Sequence, residues 1–384
     1  MIKGTETLPI GDLISRRVPF VVPSYQRAYA WEEDEVNDFI EDIRNLYKER
    51  YKNTPVSVKH FFGGLVSVDL FATNTAGRIY EVVDGQQRLA TFIITIALIV
   101  RGIDNLAKKA NQNNDSVTEQ KVKAHLEQVK RSFLYYDEVE NGNLQQRLRL
   151  TLSKVDRIFF EQLINQTSSS KPKPDSHKRL KFSFDKIFKE LIKPIVEDSK
   201  ISIIDKLNQL LSLKSCITDD CYVLHIVSDD RNETYRLFAV LNDRGKTLSD
   251  GELLRSRTLE LLEGHQIYQD AVERHWDEVL SGKPSQISEF LGSYYPSHIG
   301  QRASKRDLFD DYCKKFFSYS TSSVKTDKDA KLVEQRVANI LYEYNTFSKI
   351  KDGEWVYENS MVSEWDRGRL FRLVKILKHT ICKP

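Results

Sequence analysis

An α+β fold is the class predicted by this sequence of 384 residues: a small α/β core, a large helical insertion and a mostly helical C-terminal region. Three observations lead there. Two strand-like segments, Phe61–Val68 and Ile79–Val83, flank a turn rich in Thr, Asn and Gly and run into a long apolar helix, Leu89–Val100, which together make one α/β layer. Strand character returns far downstream at Tyr222–Val227, where the chain is expected to rejoin the first sheet. Between these, residues 105–213 read as long, polar, amphipathic helices. The expected division is therefore a core over 1–104, a helical insertion over 105–215, a returning strand and helix over 216–261, and a helical remainder over 262–384.

Each element has its own reason. Phe20–Val22 is a short apolar run with a proline on either side, and Pro23 closes it as a strand. Trp31–Tyr47 carries acids early and places Val36, Phe39, Ile40, Ile43 and Leu46 at helical spacing, an amphipathic helix with favourable charge at its start. Gly63 and Gly64 inside the next strand mark a bulge or a close backbone approach. Gln166–Pro174 reads as a loop, and the basic tail behind it, Lys178-Arg179-Leu180-Lys181, could touch a nucleic-acid backbone or simply be solvated. Asn232–Val240 reads as a helix ending at Asn242-Asp243-Arg244-Gly245, and Ser249 or Asp250 caps the helix that follows. A Thr/Ser-rich break falls near Tyr319–Ser323.

Composition sets outer bounds. With 40% hydrophobic and 29% charged residues the chain reads as globular, and a net charge of +3 confines any nucleic-acid surface to a local patch. Four cysteines, Cys216, Cys221, Cys313 and Cys382, form neither a CxxC pair nor a dense framework, so they read as ordinary thiols of a cytoplasmic protein. The N-terminus lacks the apolar core of a signal peptide. Leu89–Val100, bracketed by Arg88 and Arg101, falls short of the ~20 apolar residues of a membrane span and reads as a buried helix.

The chemistry concentrates at Asp84-Gly85-Gln86-Gln87-Arg88, where strand runs into helix. The first N–H groups of a helix have no intrahelical partner, and the helix dipole adds partial positive charge, so an anion is favoured there. Gly85 permits backbone angles closed to other residues, and Arg88 can present a planar fork of donors to phosphoryl oxygens. Gln86 and Gln87 add amide donors and acceptors. Asp84 could cap the helix, hold Mg2+ or orient a water. Spacing alone fits a tight turn equally well.

A second concentration is Pro23-Ser24-Tyr25-Gln26-Arg27-Ala28-Tyr29-Ala30-Trp31. Aromatic, amide and guanidinium groups in one loop suit contact with a base and its phosphate, with Tyr25, Gln26 and Arg27 as the binding candidates. Tyr29 and Trp31 are expected to fasten the loop to the core. Among eight histidines no pair has the spacing of a metal-bound nuclease core, and His60 and His225, on strand-like segments, are expected to pack in the core.

In this order, Pro23–Arg27 with Trp31, Phe62-Gly63-Gly64, Asp84–Arg88 and Leu241–Ser249 resemble the signatures of the N-terminal domain of GmrSD-type restriction proteins, over Pro9–Leu261. The resemblance implies a ParB/sulfiredoxin-like α/β core that binds a nucleoside triphosphate with Mg2+ through Asp84–Arg88. It makes Asp84, Gln87 and Arg88 the expected catalytic residues, with Asp84 also holding the metal and Gly85 and Gln86 lining the nucleotide. Asn242, Arg244 and Lys246 would approach the nucleotide from a second side, although as a plain helix end they need no ligand. SspE- and BrxU-like members sense chemically modified DNA, hydrolyse nucleotide and deliver a nuclease, and in SspE-like members the loop equivalent to Tyr25–Arg27 does the sensing.

The expected partners are therefore modified DNA and an HNH-type nuclease, fused downstream or supplied as a separate subunit. No membrane partner is expected, and association of identical chains is compatible with the sequence. The leading expectation is a nucleotide-hydrolysing sensor of modified or foreign DNA that controls that nuclease. The alternative is a non-hydrolysing nucleotide- or DNA-binding switch. A core that itself cleaves DNA ranks last, because no compact carboxylate cluster stands out.

Overall fold

Apolar and β-branched runs separated by glycine-bearing turns pair into a sheet, and the longest apolar run closes over it as a helix. The computed structural model describes residues 2–23, 26, 28–51, 59–71, 77–140, 143–165, 167, 171–172, 174–229, 234, 249–282, 284–301, 308–318 and 324–352. The chain divides into two units, Met1–Leu241 and Asn242–Pro384. The class is α+β, as the sequence predicts.

In the first unit, strand β1 (Ile2–Pro9) leads into the short helix α1 (Ile10–Ile14), strand β2 (Phe20–Val21) and helix α2 (Glu33–Tyr51). Acids Glu33, Asp34 and Glu35 open α2 while Lys48 and Arg50 close it, complementing the helix dipole at both ends. Its apolar stripe, Val36, Phe39, Ile40, Ile43 and Leu46, is buried. Strands β3 (His60–Phe71) and β4 (Arg78–Asp84) pair antiparallel, and helix α3 (Gln86–Gln112) follows directly. Helix α3 is long and apolar enough to cross a bilayer, yet 83% of its most apolar stretch is buried inside the protein, so it is a core helix.

The segment expected to be helical is so only in part. Helix α4 (Ser116–Val129) passes through a π-helical turn, Lys130–Leu134, into a two-stranded ribbon of β5 (Tyr135–Glu140) and β6 (Asn143–Leu148). A short strand, β7 (Leu150–Thr151), then pairs parallel with β2. The sequence carries the signal for this correction: Asn141-Gly142 between runs of β-forming residues is a strong hairpin dipeptide, although those two residues lie outside the described ones. Helices α5 (Arg157–Asn165), α6 (Asp175–Ile187), α7 (Lys193–Val196) and α8 (Ile203–Ser215) complete the segment.

Strand β8 (Cys221–Ser228) returns to the first sheet, as expected, and lies parallel to β3 and antiparallel to β1. The sheet order is β1-β8-β3-β4-β2-β7. The ladder between β3 and β8 slips between Phe61 and Gly64, which is the bulge the two glycines foretell. His225 on β8 is fully buried beside Ser67, whereas His60, expected in the core, is only partly buried at the start of β3, with its ring on Phe62 and 3.3 Å from Asp42. Cys216 and Cys221 are buried free thiols. Burial pushes the Cys216 thiol up to about 12, which makes it unreactive.

Every described element of the second unit is a helix: α9 (Asp250–Leu261), α10 (Gln266–Leu280), α11 (Pro284–Ile299), α12 (Leu308–Lys315) and α13 (Asp327–Asp352). Ser249 caps α9, as expected, in a reciprocal box with Glu252. Trp276, fully buried, donates to Thr258 Oγ1 at 2.8 Å. The helix expected over Asn232–Val240 and the break near Tyr319–Ser323 lie outside the described residues, apart from the buried Thr234.

Candidate nucleotide site at the start of the central helix

Strand β4 ends at Asp84, and the chain can enter α3 only through a left-handed residue, which Gly85 supplies with φ 90° and ψ 6°. A side chain there is excluded twice, by this angle and by space, since a Cβ would lie 2.7 Å from Leu65 Cδ1 and 3.0 Å from the Gly64 carbonyl oxygen. The N-cap position of α3 is Gly85 itself, which has no side chain to accept from the first N–H groups. The strand–glycine–helix junction predicted by the sequence is therefore formed.

Arg88, one turn into the helix, reaches back over the bulge in β3. Its Nη2 donates to the Gly64 carbonyl at 2.6 Å and to Asp84 Oδ2 at 3.3 Å, and Nη1 donates to the Phe62 carbonyl at 3.4 Å. Gly63, at φ +95°, is the residue that gives way: a Cβ there would sit 2.5 Å from Arg88 Nη1. Phe62-Gly63-Gly64 and Asp84–Arg88, distant in sequence, are thus two sides of one feature. Both the Asp84 and Arg88 side chains remain 29% exposed, so the fork and the carboxylate face water at the helix start.

Gln87 faces the other way. Its Oε1 accepts from the Ala30 N–H at 2.9 Å and its Nε2 donates to the Ala28 carbonyl at 3.2 Å, so both ends of this buried amide hold the loop of residues 23–31. Gln26 is also buried and donates to the Val83 carbonyl at 3.2 Å. Tyr29 and Trp31 fasten the loop, as expected. The Tyr29 hydroxyl donates to Thr91 Oγ1 at 2.8 Å and accepts from Ser183 Oγ at 3.1 Å, and the Trp31 ring lies against Phe39. Burial pushes the Tyr29 phenol up to about 12, so it stays a neutral linker.

Sequence reasoning missed Asp156, which is 1% exposed and accepts from the Tyr29 N–H and from Ser176 Oγ, each at 2.6 Å. With Gln86, Gln87, Tyr29, Ser153, Ala90 and Leu152 it lines a small cavity under the first turn of α3. A signal for this second layer existed in Thr91 and Thr95, hydroxyls inside an otherwise apolar helix, although Asp156 itself carries none.

Among the other expected site residues, Tyr25, Arg27, Asn242, Arg244 and Lys246 lie outside the described residues. Among the described residues no three His, Cys, Asp or Glu side chains gather as a metal site. Mg2+ commonly binds through one or two carboxylates plus substrate phosphates and water, and Asp84 at the helix start suits that mode.

A family model described as GmrSD restriction endonuclease, N-terminal domain, matches residues 10–259, more than half of the chain. No curated protein matches the chain.

Proposed function

We infer the function from one premise: the chain belongs to the family of GmrSD restriction endonuclease N-terminal domains, and so to a restriction system that has DNA as its target and a nuclease as a component. Within that system it binds and hydrolyses a nucleoside triphosphate at the start of α3 and uses the nucleotide state to control the nuclease when foreign or modified DNA is sensed. The supporting observation is the N-terminus of α3 entered through a left-handed glycine, with the part-exposed Arg88 fork beside it. Phosphoryl transfer depends mainly on positioning and charge neutralisation, which donors fixed in this way supply.

In this reading Gly85, Gln86 and Arg88 hold the phosphates. Asp84 holds Mg2+, which would neutralise charge on the phosphate oxygens. Gln87 is a positioning residue that ties the helix start to the loop carrying Tyr25 and Arg27, which would read modified DNA, while Gln26, expected beside them, is instead buried on the Val83 carbonyl and anchors that loop. The test is phosphate release from each of the four nucleoside triphosphates, with plain and with modified duplex. Release that DNA stimulates and Arg88→Ala abolishes supports the reading, and undiminished release by Arg88→Ala rejects it.

A second reading, a switch that binds nucleotide without hydrolysing it, is favoured by one observation. Both ends of the Gln87 amide are committed to the loop, which removes Gln87 from the groups that could orient a water. That reading predicts nucleotide-dependent thermal stabilisation with no released phosphate.

A further inference from the structure

Arg149, between β6 and β7, is a buried guanidinium, and among the described residues no carboxylate pairs with it. Its Nη1 donates to the Arg16 carbonyl at 2.6 Å and its Nη2 to the Arg131 carbonyl at 3.0 Å, while its buried Nε has no partner. One side chain therefore draws together the turn after α1 and the π-helical turn after α4. Each of these turns carries an exposed arginine, Arg17 and Arg131, and neither has an ion pair among the described residues. Arg16, Lys130 and Arg147 flank them, held by Glu6, Glu127 and Glu138.

Two turns held together by Arg149 thus each present an exposed arginine whose charge an anionic partner could pair. Burial pushes the Arg149 guanidinium down from its usual range, as expected for a cation short of counter-charge. The basic tail that the sequence offered for nucleic acid is different. Lys178, Arg179 and Lys181 are all neutralised, by Asp175, Glu32 and Asp185. On the ribbon of β5 and β6, the exposed Asp137 and the half-buried Glu138, paired with Arg147, limit the basic surface on that side.

We propose that Arg17 and Arg131, on the two turns that Arg149 joins through their backbone, contact the phosphodiester backbone of duplex DNA. Such contacts fix where a protein sits on a duplex without reading sequence, and so leave recognition of the modification to other residues. The partner rests on the DNA-directed reading above. The surface itself rests on its charges.

The test is fluorescence anisotropy of the full chain with a labelled duplex of mixed sequence over a salt series, using Arg17→Ala/Arg131→Ala and, as a control, Lys178→Ala/Arg179→Ala. The first variant is expected to bind about tenfold more weakly at moderate salt and to lower the slope of log affinity against log salt by about 2. The control is expected to match wild type. Equal duplex affinity in wild type and Arg17→Ala/Arg131→Ala overturns the proposal. So does a wild type that binds phosphatidylserine vesicles or inorganic phosphate through these arginines but no duplex. Nucleotide titration of the same proteins separates the two readings: arginine-dependent DNA binding without nucleotide binding sinks the proposed function and leaves this surface standing.

Discussion

The Arg88 guanidinium donates to the Gly64 carbonyl across 2.6 Å, so the first turn of the central helix and the bulge of strand β3 form one piece of structure. Phe62-Gly63-Gly64 and Asp84–Arg88 need each other for a steric reason: the bulge leaves open the space that the arginine occupies. Predictions about the site begin there.

Gly63→Ala places a methyl group at a φ of +95° and against the Arg88 side chain. The expected cost is about 1–2 kcal/mol of stability. A lower Tm should be accompanied by weaker nucleotide binding, as Arg88 is pushed off its seat. Unchanged affinity together with the lowered Tm would separate the bulge from the site.

Gln87→Ala removes both bonds to the loop, from Ala30 and to Ala28. A loss of about 1 kcal/mol per hydrogen bond is expected, concentrated in the loop. Hydrogen exchange over residues 24–31 should accelerate while exchange in the middle of α3 stays slow. Exchange in the loop equal to wild type would show that the amide does not hold it.

The His225 imidazole is buried with Ser67 as its hydrogen-bond partner, its ring edge-on to Phe20 and Tyr80. Burial, with the Arg16 charge adding to it, lowers its pKa from 6.5 to about 4. The ring is therefore neutral in the fold, and between those values the unfolded chain takes up a proton that the folded chain does not. The stability this provides is full above pH 6.5 and is lost as pH falls toward 4, by up to about 3 kcal/mol. Glu6, whose carboxyl is lowered chiefly by its hydrogen bond from Arg16, adds to the loss at the acid end. Urea unfolding across this range should show a slope that His225→Phe reduces, and equal slopes in the two proteins would contradict the assignment.

Leu98→Ala at the fully buried middle of α3 should cost about 2–5 kcal/mol, from lost burial and the cavity left behind. Denaturant unfolding reads this directly. A cost below about 1 kcal/mol would mean the helix repacks and is not the rigid centre of the first unit.

The sequence showed most of what local pattern controls. The stripe from Val36 to Leu46 dictated α2, the apolar run after Asp84 dictated the buried helix, and Gly63-Gly64 announced the bulge. Tyr222–Val227 could be assigned to the first sheet because its apolar content requires a covered surface. What was hidden depends on contacts distant in sequence. Asp156 and Ser183 reach Tyr29 across more than a hundred residues, and no spacing rule links them. Gln87 reads as a ligand-facing amide because it stands in a polar run at a strand-to-helix junction, whereas the turn of the helix sends it toward Ala28 and Ala30. Arg149 stands out only when the carbonyls it joins are seen together. The ribbon of β5 and β6 is hard to see in the sequence because its polar, amphipathic segments resemble the helices on either side, and only the Asn-Gly dipeptide marks the turn.

Titration of the full chain with a non-hydrolysable nucleoside triphosphate and Mg2+, wild type against Arg88→Ala, tests the central claim most directly. Loss of a charge-assisted phosphate contact predicts affinity weaker by about tenfold or more in Arg88→Ala. Equal affinity in the two proteins, with Arg88→Ala still folded, would place the triphosphate away from the start of the central helix and contradict the account.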